Sequence, residues 1–321
     1  MSPEPDRLDV LAPVGRAWDH MRSLLFRPFD AARWLAIGFT AWLAGLGEAG
    51  GGGTGGNFRA NRGNFQDMDW ASMKSNAQEW LASNWGWVVP LALAAGLVLA
   101  AFWLLVLWLS SRGRFLFFHN VATGRADVIT PWNAYAAHGN HLFLFRLVLS
   151  LAMLVVLLPL IVVGLLVGVR WLGSGDGAGL AVAAAILTGL AAGALMLGFA
   201  IVSVLTTDFV VPIMARHTTS CRQAWRLFLG PLGRNPGGFA LYLGFKISLW
   251  IGVWIALMIG IVITCCLLGC LLAIPYLGTV LFLPVLVFFR SYSLHFLAQQ
   301  GPDWNVLNPA SVAAPGESAV S

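Results

Sequence analysis

The chain has 321 residues, of which 58% are hydrophobic and only 10% charged, with a formal net charge of +5 and a mean hydropathy of +0.77. About a quarter of an ordinary soluble domain is charged, so these residues cannot clothe a water-facing surface, and the apolar excess must face lipid. Four cysteines without zinc-site or secreted-framework spacing exclude a disulfide scaffold, and no nucleic-acid-binding module appears.

In chain order, a charged opening stretch lacks the short apolar core and cleavage site of a signal peptide. Leu8, Leu11, Val14, Trp18, Met21 and Leu25 then recur at steps of three and four, with Arg16, Asp19, His20 and Arg22 largely opposite. This spacing predicts an amphipathic helix lying in the membrane interface. The run Trp34–Gly47 is short for a crossing, which takes about 20 residues; it crosses only if Ala31, Ala32 and part of the following glycine tract enter the interface. Gly50–Gly56 is a low-complexity segment without the Lys-Ser/Thr of a phosphate-binding loop. Asp67 or Asp69 caps a helix whose Trp70, Met73, Ala77, Trp80 and Leu81 form an apolar stripe suited to the outer leaflet.

Five longer runs meet the length of a crossing: Trp87–Ser110, Leu142–Val169, Leu180–Thr206, Phe239–Ile263 and Leu271–Phe289. Gly269 and Pro275 break the last two near Thr264–Tyr276. Pro159 and Pro284 predict kinks, and Gly164-xxx-Gly168 and Ala185-xxx-Gly189-xxx-Gly193 predict close helix contacts. Cys265, Cys266 and Cys270 read as buried apolar thiols. Residues 299–321 read as a disordered tail, leaving 1–298 as one membrane domain.

Short cytoplasmic loops collect Lys and Arg. With six crossings and a cytoplasmic N-terminus, the inner side holds Arg7, Arg16, Arg22, Arg27, Arg33, Arg112, Arg114, Arg125, Arg146, Arg216, Arg222, Arg226, Arg234, Lys246 and Arg290. Only Arg59, Arg62, Lys74 and Arg170 remain outside. Trp85 and Trp87 at one end of the second run, Trp108 at its other end and Trp171 outside the third form the aromatic belts. Arg146 and Lys246 lie one to two turns inside their runs, from where they snorkel to the headgroups. The expectation is a multi-pass protein of the cell membrane with both termini cytoplasmic.

Three inner segments look alike. RAWDHMRSLLFRPFDAARWLAIGF (Arg16–Phe39) and RQAWRLFLGPLGRNPGGFALYLGF (Arg222–Phe245) share their closing Gly-Phe, and PWNAYAAHGNHLFLFRL (Pro131–Leu147) is a weaker copy. RFLFFHN (Arg114–Asn120) and DFVVPIM (Asp208–Met214) follow the second and fourth runs in the same place. The reading is an all-α membrane protein of three helical hairpins, each preceded by a cytoplasmic interfacial amphipathic helix, with repeats of about 8–110, 111–207 and 208–297.

DFVVPIM, AWRLF, RNPGGFALYLGFK and the closing FFRSYSL resemble an uncharacterised six-helix family of bacterial and archaeal membrane proteins, distantly similar to the membrane domain appended to some glycerophosphodiester phosphodiesterases. The likeness covers about Leu8 to Leu297. It implies the architecture and carries no active residues, and the soluble phosphodiesterase barrel with its acidic metal ligands is absent.

No dinucleotide fingerprint, carboxylate pair or Ser-His-Asp order appears, so neither a catalytic set nor a cofactor is predicted. All six histidines fall on the inner side. His138 and His141 are spaced to share a metal, but Gly139 between them argues for a turn and no further ligand completes a set. Asp208 stands out: a carboxylate at a helix end, with Arg216 and His217 two to three turns on. With His119 and Arg114 these form a candidate cytoplasmic-face cluster, and the bland reading of Asp208 is an ion pair fixing an elbow. Arg16, Arg22, Arg146, Arg226 and Lys246 are candidate lipid-headgroup contacts. The predicted partners are membrane lipids, with anionic phospholipids and other membrane proteins as candidates, and action through those contacts. A transporter or permease subunit is the alternative; a lipid-modifying enzyme ranks last.

Overall fold

The computed structural model describes residues 8–46, 70–172, 178–265 and 267–307, among which there is no strand. The helices are α1 (Ala12–Phe26), α2 (Ala31–Gly45), α3 (Trp70–Thr123), α4 (Ile129–Ala134), α5 (Ala136–Leu172) and α6 (Ala178–Leu205). A π turn (Thr206–Val210) leads into α7 (Val211–His217), α8 (Cys221–Arg234), α9 (Pro236–Ile263), α10 (Leu267–Ala273), α11 (Pro275–Leu281), α12 (Leu283–Ala298) and a 3-10 turn (Pro302–Trp304). Local chemistry sets the starts. Asp30 accepts from the amide of Ala32 at 2.9 Å to open α2, Ser220 and Gln223 form a capping box on α8, and Pro236 occupies the first turn of α9, where its missing N–H is not needed.

Among the described residues four helices are long and apolar enough to cross a membrane, and a fifth crossing arises if the bent pair α11–α12 counts as one. The bend is 61° and falls at Phe282, just before Pro284, so the kink expected there is present. α5, by contrast, runs through Pro159 unbroken. α2 has 15 residues, about 22 Å of helix, which is short of a bilayer by itself. The glycine tract Gly50–Gly56 and the caps at Asp67 or Asp69 lie outside the described residues. The helix expected after them is not separate: α3 is continuous over 54 residues, about 81 Å. The side chains of its opening stripe, Trp80 apart, are likewise outside the described residues.

Burial is confined to one end of the bundle. In the most apolar stretches of α5, α6 and α9 no residue is buried. The core gathers instead Ala17, Met21, Leu24 and Leu25 of α1, Phe115, Phe118 and Val121 of α3, Phe209 to Ala215, Phe228 of α8, Phe239 and Tyr242 of α9, and most of α12. Phe209 stacks on Phe228 with ring centroids 5.3 Å apart and meets Phe239 edge-on at 5.4 Å. Lipid tails are as apolar as leucine, so nothing drives the mid-membrane faces together. The driving force of burial acts where water would otherwise reach.

α1 lies across α12, α2 packs on α3 and α11, α5 on α3 and α6, and α8 on the π turn and α7. Close approach uses glycine where helices touch: a Cβ on Gly113 would stand 2.6 Å from the backbone of Leu43 and Ala44. Gly164 meets Thr188, whereas Gly189 and Gly193 face open space, so the contact expected along that α6 stripe sits elsewhere. Three further expectations change. The buried side of α1 is turned, leaving Leu11 and Trp18 exposed while His20 Nε2 meets the Val121 carbonyl at 2.8 Å. Gly139 makes no turn: it lies in the first turns of α5, where Arg112 crosses it too closely for a side chain. Cys265 and Cys270 are free and exposed rather than buried, and Cys266 is outside the described residues.

The start of the expected tail is also packed. Val306 is buried, Trp304 meets His217 edge-on with ring centroids 6.3 Å apart, and Gln299 exchanges hydrogen bonds with the backbone of Asp9 at 3.0 and 2.8 Å. Residues from 308 onward lie outside the described ones.

Candidate functional site

The π turn inserts one residue into the helical path between α6 and α7 and aims Asp208 into the core, where it is buried. Such turns accompany functional sites often enough to direct attention to what they expose. Tyr242 and Lys246, four residues apart on α9, share one face. Tyr242 Oη donates to Asp208 Oδ2 at 2.9 Å, and Lys246 Nζ forms an ion pair with the same oxygen. Behind this pair Tyr242 stacks on Tyr292, centroids 5.3 Å apart and rings 6° from parallel.

Two arginines approach from the other side through Thr207. Arg114 Nη1 donates to Thr207 Oγ1, and Arg290 Nη1 donates to the Thr207 carbonyl. The Arg290 guanidinium also lies over the Phe118 ring, 5.3 Å from its centroid, a favourable arrangement for a desolvated cation. Arg114 and Arg290 are both buried.

Of the cluster expected from sequence, Asp208 and Arg114 therefore come together at Thr207. His119 is buried a turn beyond Arg114, its ring against Tyr135. Arg216 and His217 are not part of the site: they end α7 near the surface, where Arg216 Nε donates to the Asp303 carbonyl at 2.8 Å. Lys246 does not snorkel; it turns inward to Asp208. Arg146 likewise turns toward α3 and donates to the hydroxyls of Ser110 at 3.1 Å and Ser111 at 3.2 Å. Arg16, Arg22 and Arg226 are exposed on α1 and α8.

Sequence reasoning missed Arg290 and Tyr242. The available signal was Tyr242 and Lys246 one helical turn apart on an otherwise apolar run, a spacing that a buried carboxylate elsewhere would satisfy. Among the described residues no group of three His, Cys, Asp or Glu side chains could hold a metal. Cys221, at the start of α8, is held inert by burial, which pushes its thiol up to about 12.

A family model described as a family of unknown function (DUF7544) matches residues 8–283. No curated protein and no solved structure matches the chain, and no link to the glycerophosphodiester phosphodiesterase membrane domain emerges.

Proposed function

The chain belongs to the DUF7544 family of unknown function, and from its residues we propose that it is a six-crossing protein of the cell membrane, with both termini cytoplasmic, that acts by holding anionic phospholipids and partner proteins at its cytoplasmic face. The observation that carries this reading is the surface of α1 and α8. Arg16, Arg22, Arg222, Arg226 and Arg234 are exposed there together with Trp18, Leu227 and Leu229, next to the packed core rather than among the lipid-facing spans. Each such arginine contributes roughly 1 kcal/mol toward an anionic leaflet, and the apolar side chains dip beneath the headgroups.

The sixth crossing has geometric support. α1 touches the last turns of α3 through His20 and Val121, while α3 begins about 81 Å away at Trp70. If α3 crosses, the chain between α1 and Trp70 must cross too; α2 runs beside only the inner end of α3, its Ala44 carbonyl accepting from Ser110 Oγ at 2.8 Å, and so begins that path without completing it. The three-hairpin repeat would follow from the same arrangement.

Reconstitution into vesicles of mixed phosphatidylglycerol and phosphatidylcholine, with mass spectrometry of the lipids that copurify on extraction, tests the lipid reading. The expected result is a several-fold enrichment of phosphatidylglycerol that disappears in the Arg16→Gln/Arg22→Gln/Arg226→Gln variant. Equal retention of both lipids by the unaltered protein would sink it. A single cysteine at position 57 should label only from outside the cell; labelling only from the cytoplasm removes the sixth crossing.

A further inference from the structure

The seam between α3 and α5 carries an arginine held in a different way from those near Asp208. Gly139 in the first turns of α5 lets the stem of Arg112 pass, since a Cβ there would stand 2.7 Å from Arg112 Cγ. The guanidinium then lies over two indoles, 4.5 Å from the ring centroid of Trp108 and 5.0 Å from that of Trp132. The two rings meet edge-on with centroids 6.1 Å apart. Contacts of this kind hold a guanidinium by its face and leave its N–H edges for other partners.

No described residue takes those edges. Among the described residues Arg112 makes no hydrogen bond and no ion pair, and its Nε is buried without a partner. Arg112 as a whole is only half-buried, so its reachable edge is the Nη1–Nη2 end. That end is a fork able to grip two oxygens of one phosphate or carboxylate. Beside it Asn140, an exposed residue, accepts from Trp108 Nε1 at 3.1 Å, which leaves its amide NH2 as a further donor.

Depth and surroundings choose the acceptor. Trp85 and Trp108 stand roughly 35 Å apart along α3, close to the hydrocarbon thickness of about 30 Å that such aromatic residues bracket. The guanidinium resting on Trp108 is therefore level with a headgroup layer. About one to two turns toward the membrane centre, the same seam exposes Leu104 and Leu105 on α3 and Leu144 and Val148 on α5. Donors at headgroup level with an apolar track beneath them match an amphiphile. An acidic protein segment or a free anion would use the donors and leave the track idle.

We propose that Arg112, seated on Trp108 and Trp132 and flanked by Asn140, holds the phosphodiester of one phospholipid whose acyl chains lie along α3 and α5. One cation matches one phosphodiester, so a zwitterionic phospholipid suffices. The proposal rests on the membrane reading above, in that α3 must cross, but not on α1 or α8 holding anionic lipid.

Native mass spectrometry of the full chain in dodecyl maltoside tests it. The additives compared are phosphatidylcholine, diacylglycerol with the same chains but no phosphate, and inorganic phosphate with no chains. The expected result is a saturable adduct of one phosphatidylcholine, with diacylglycerol binding about tenfold more weakly and inorganic phosphate displacing nothing. Arg112→Gln should raise the half-saturating concentration about tenfold. Arg112→Lys keeps the stem and the charge but loses the fork, and should raise it about threefold, which keeps the test decisive if the Gln variant does not fold. The Arg16→Gln/Arg22→Gln/Arg226→Gln variant should bind phosphatidylcholine as the unaltered protein does. Loss of the adduct there, with retention in Arg112→Gln, leaves the α1 and α8 reading standing and overturns this one. Equal binding of diacylglycerol, displacement by inorganic phosphate, which would give the site to a free anion, or an unchanged affinity in the Arg112 variants also overturns it.

Discussion

The inner and outer parts of the same helices are built on different principles. α9 shows both in one element: Phe239 and Tyr242 are buried in an aromatic cluster, while Ile255, Met258 and Ile259, about four to five turns on, are exposed. The buried stretch is the less apolar of the two, carrying Tyr242 and Lys246, so hydrophobicity does not decide which is buried. Their surroundings do. Near the basic end, loops and elbow helices enclose the side chains and exclude water; farther along, lipid tails solvate each helix and only local contacts such as Gly164 on Thr188 bring two together. Apolar residues in this chain thus carry either packing or solvation, according to position along the helix.

The contrast breaks most readily in the core. Phe209→Ala removes a ring that touches Phe228, Phe239, Tyr242 and Phe296 and should cost about 3–5 kcal/mol. Leu190→Ala on lipid-facing α6 should stay within about 0.5 kcal/mol. Denaturation in micelles checks both, and equal losses would mean that the outer spans are packed after all. Glycines give a smaller version of the same comparison. Gly113→Ala forces apart α2 and α3 and should cost about 1–3 kcal/mol, while Gly193→Ala, with open space around it, should gain up to about 1 kcal/mol of helix propensity.

The smallest effect expected is at Asp127, in the connection before α4. Its side chain is tied to Thr130 and accepts from the amides of Ile129 and Thr130 at 3.0 and 3.3 Å, which holds the carboxyl below its ordinary value, the Thr130 side chain being the largest cause. A depressed folded value means stabilisation that is complete above the unfolded value near 3.9 and lost as the pH falls through the folded one. Asp127→Asn should therefore cost about 0.5–1 kcal/mol at neutral pH and nothing in strong acid; a loss that persists in acid would assign the effect to packing.

The all-helical class and most of the long apolar runs were legible because lipid solvation acts on each segment alone. Run ends were less so: the second was expected to stop at Ser110, yet α3 continues to Thr123, since a helix does not end where its apolar run does, and the packed end stays helical with Arg112, Arg114, His119 and Asn120 in it. The site was legible in fragments. Asp208 stood out as an acid at a helix end, but its partners Tyr242 and Lys246 lie 34 and 38 residues away, and Arg290, which donates to the neighbouring Thr207 carbonyl, lies 83 residues from that residue. Which way Lys246 turns depends on a carboxylate that no local pattern announces. Snorkelling and inward pairing start from the same depth, and only the neighbour decides between them.

The clasp between the chain's beginning and its last helix constrains how the protein is made. The stripe of α1, with Ala17, Met21 and Leu24, is finally covered by α12 and its neighbours, and Asp9 is held by Gln299. The ribosome synthesises α1 well before α12. Until then the face of α1 that α12 covers has no protein partner, even once α3 has met His20 through Val121, and the bilayer's own interface is the nearest apolar shelter. Maturation then requires α1 to exchange lipid for α12, making the emergence of the final helix the event that completes the fold.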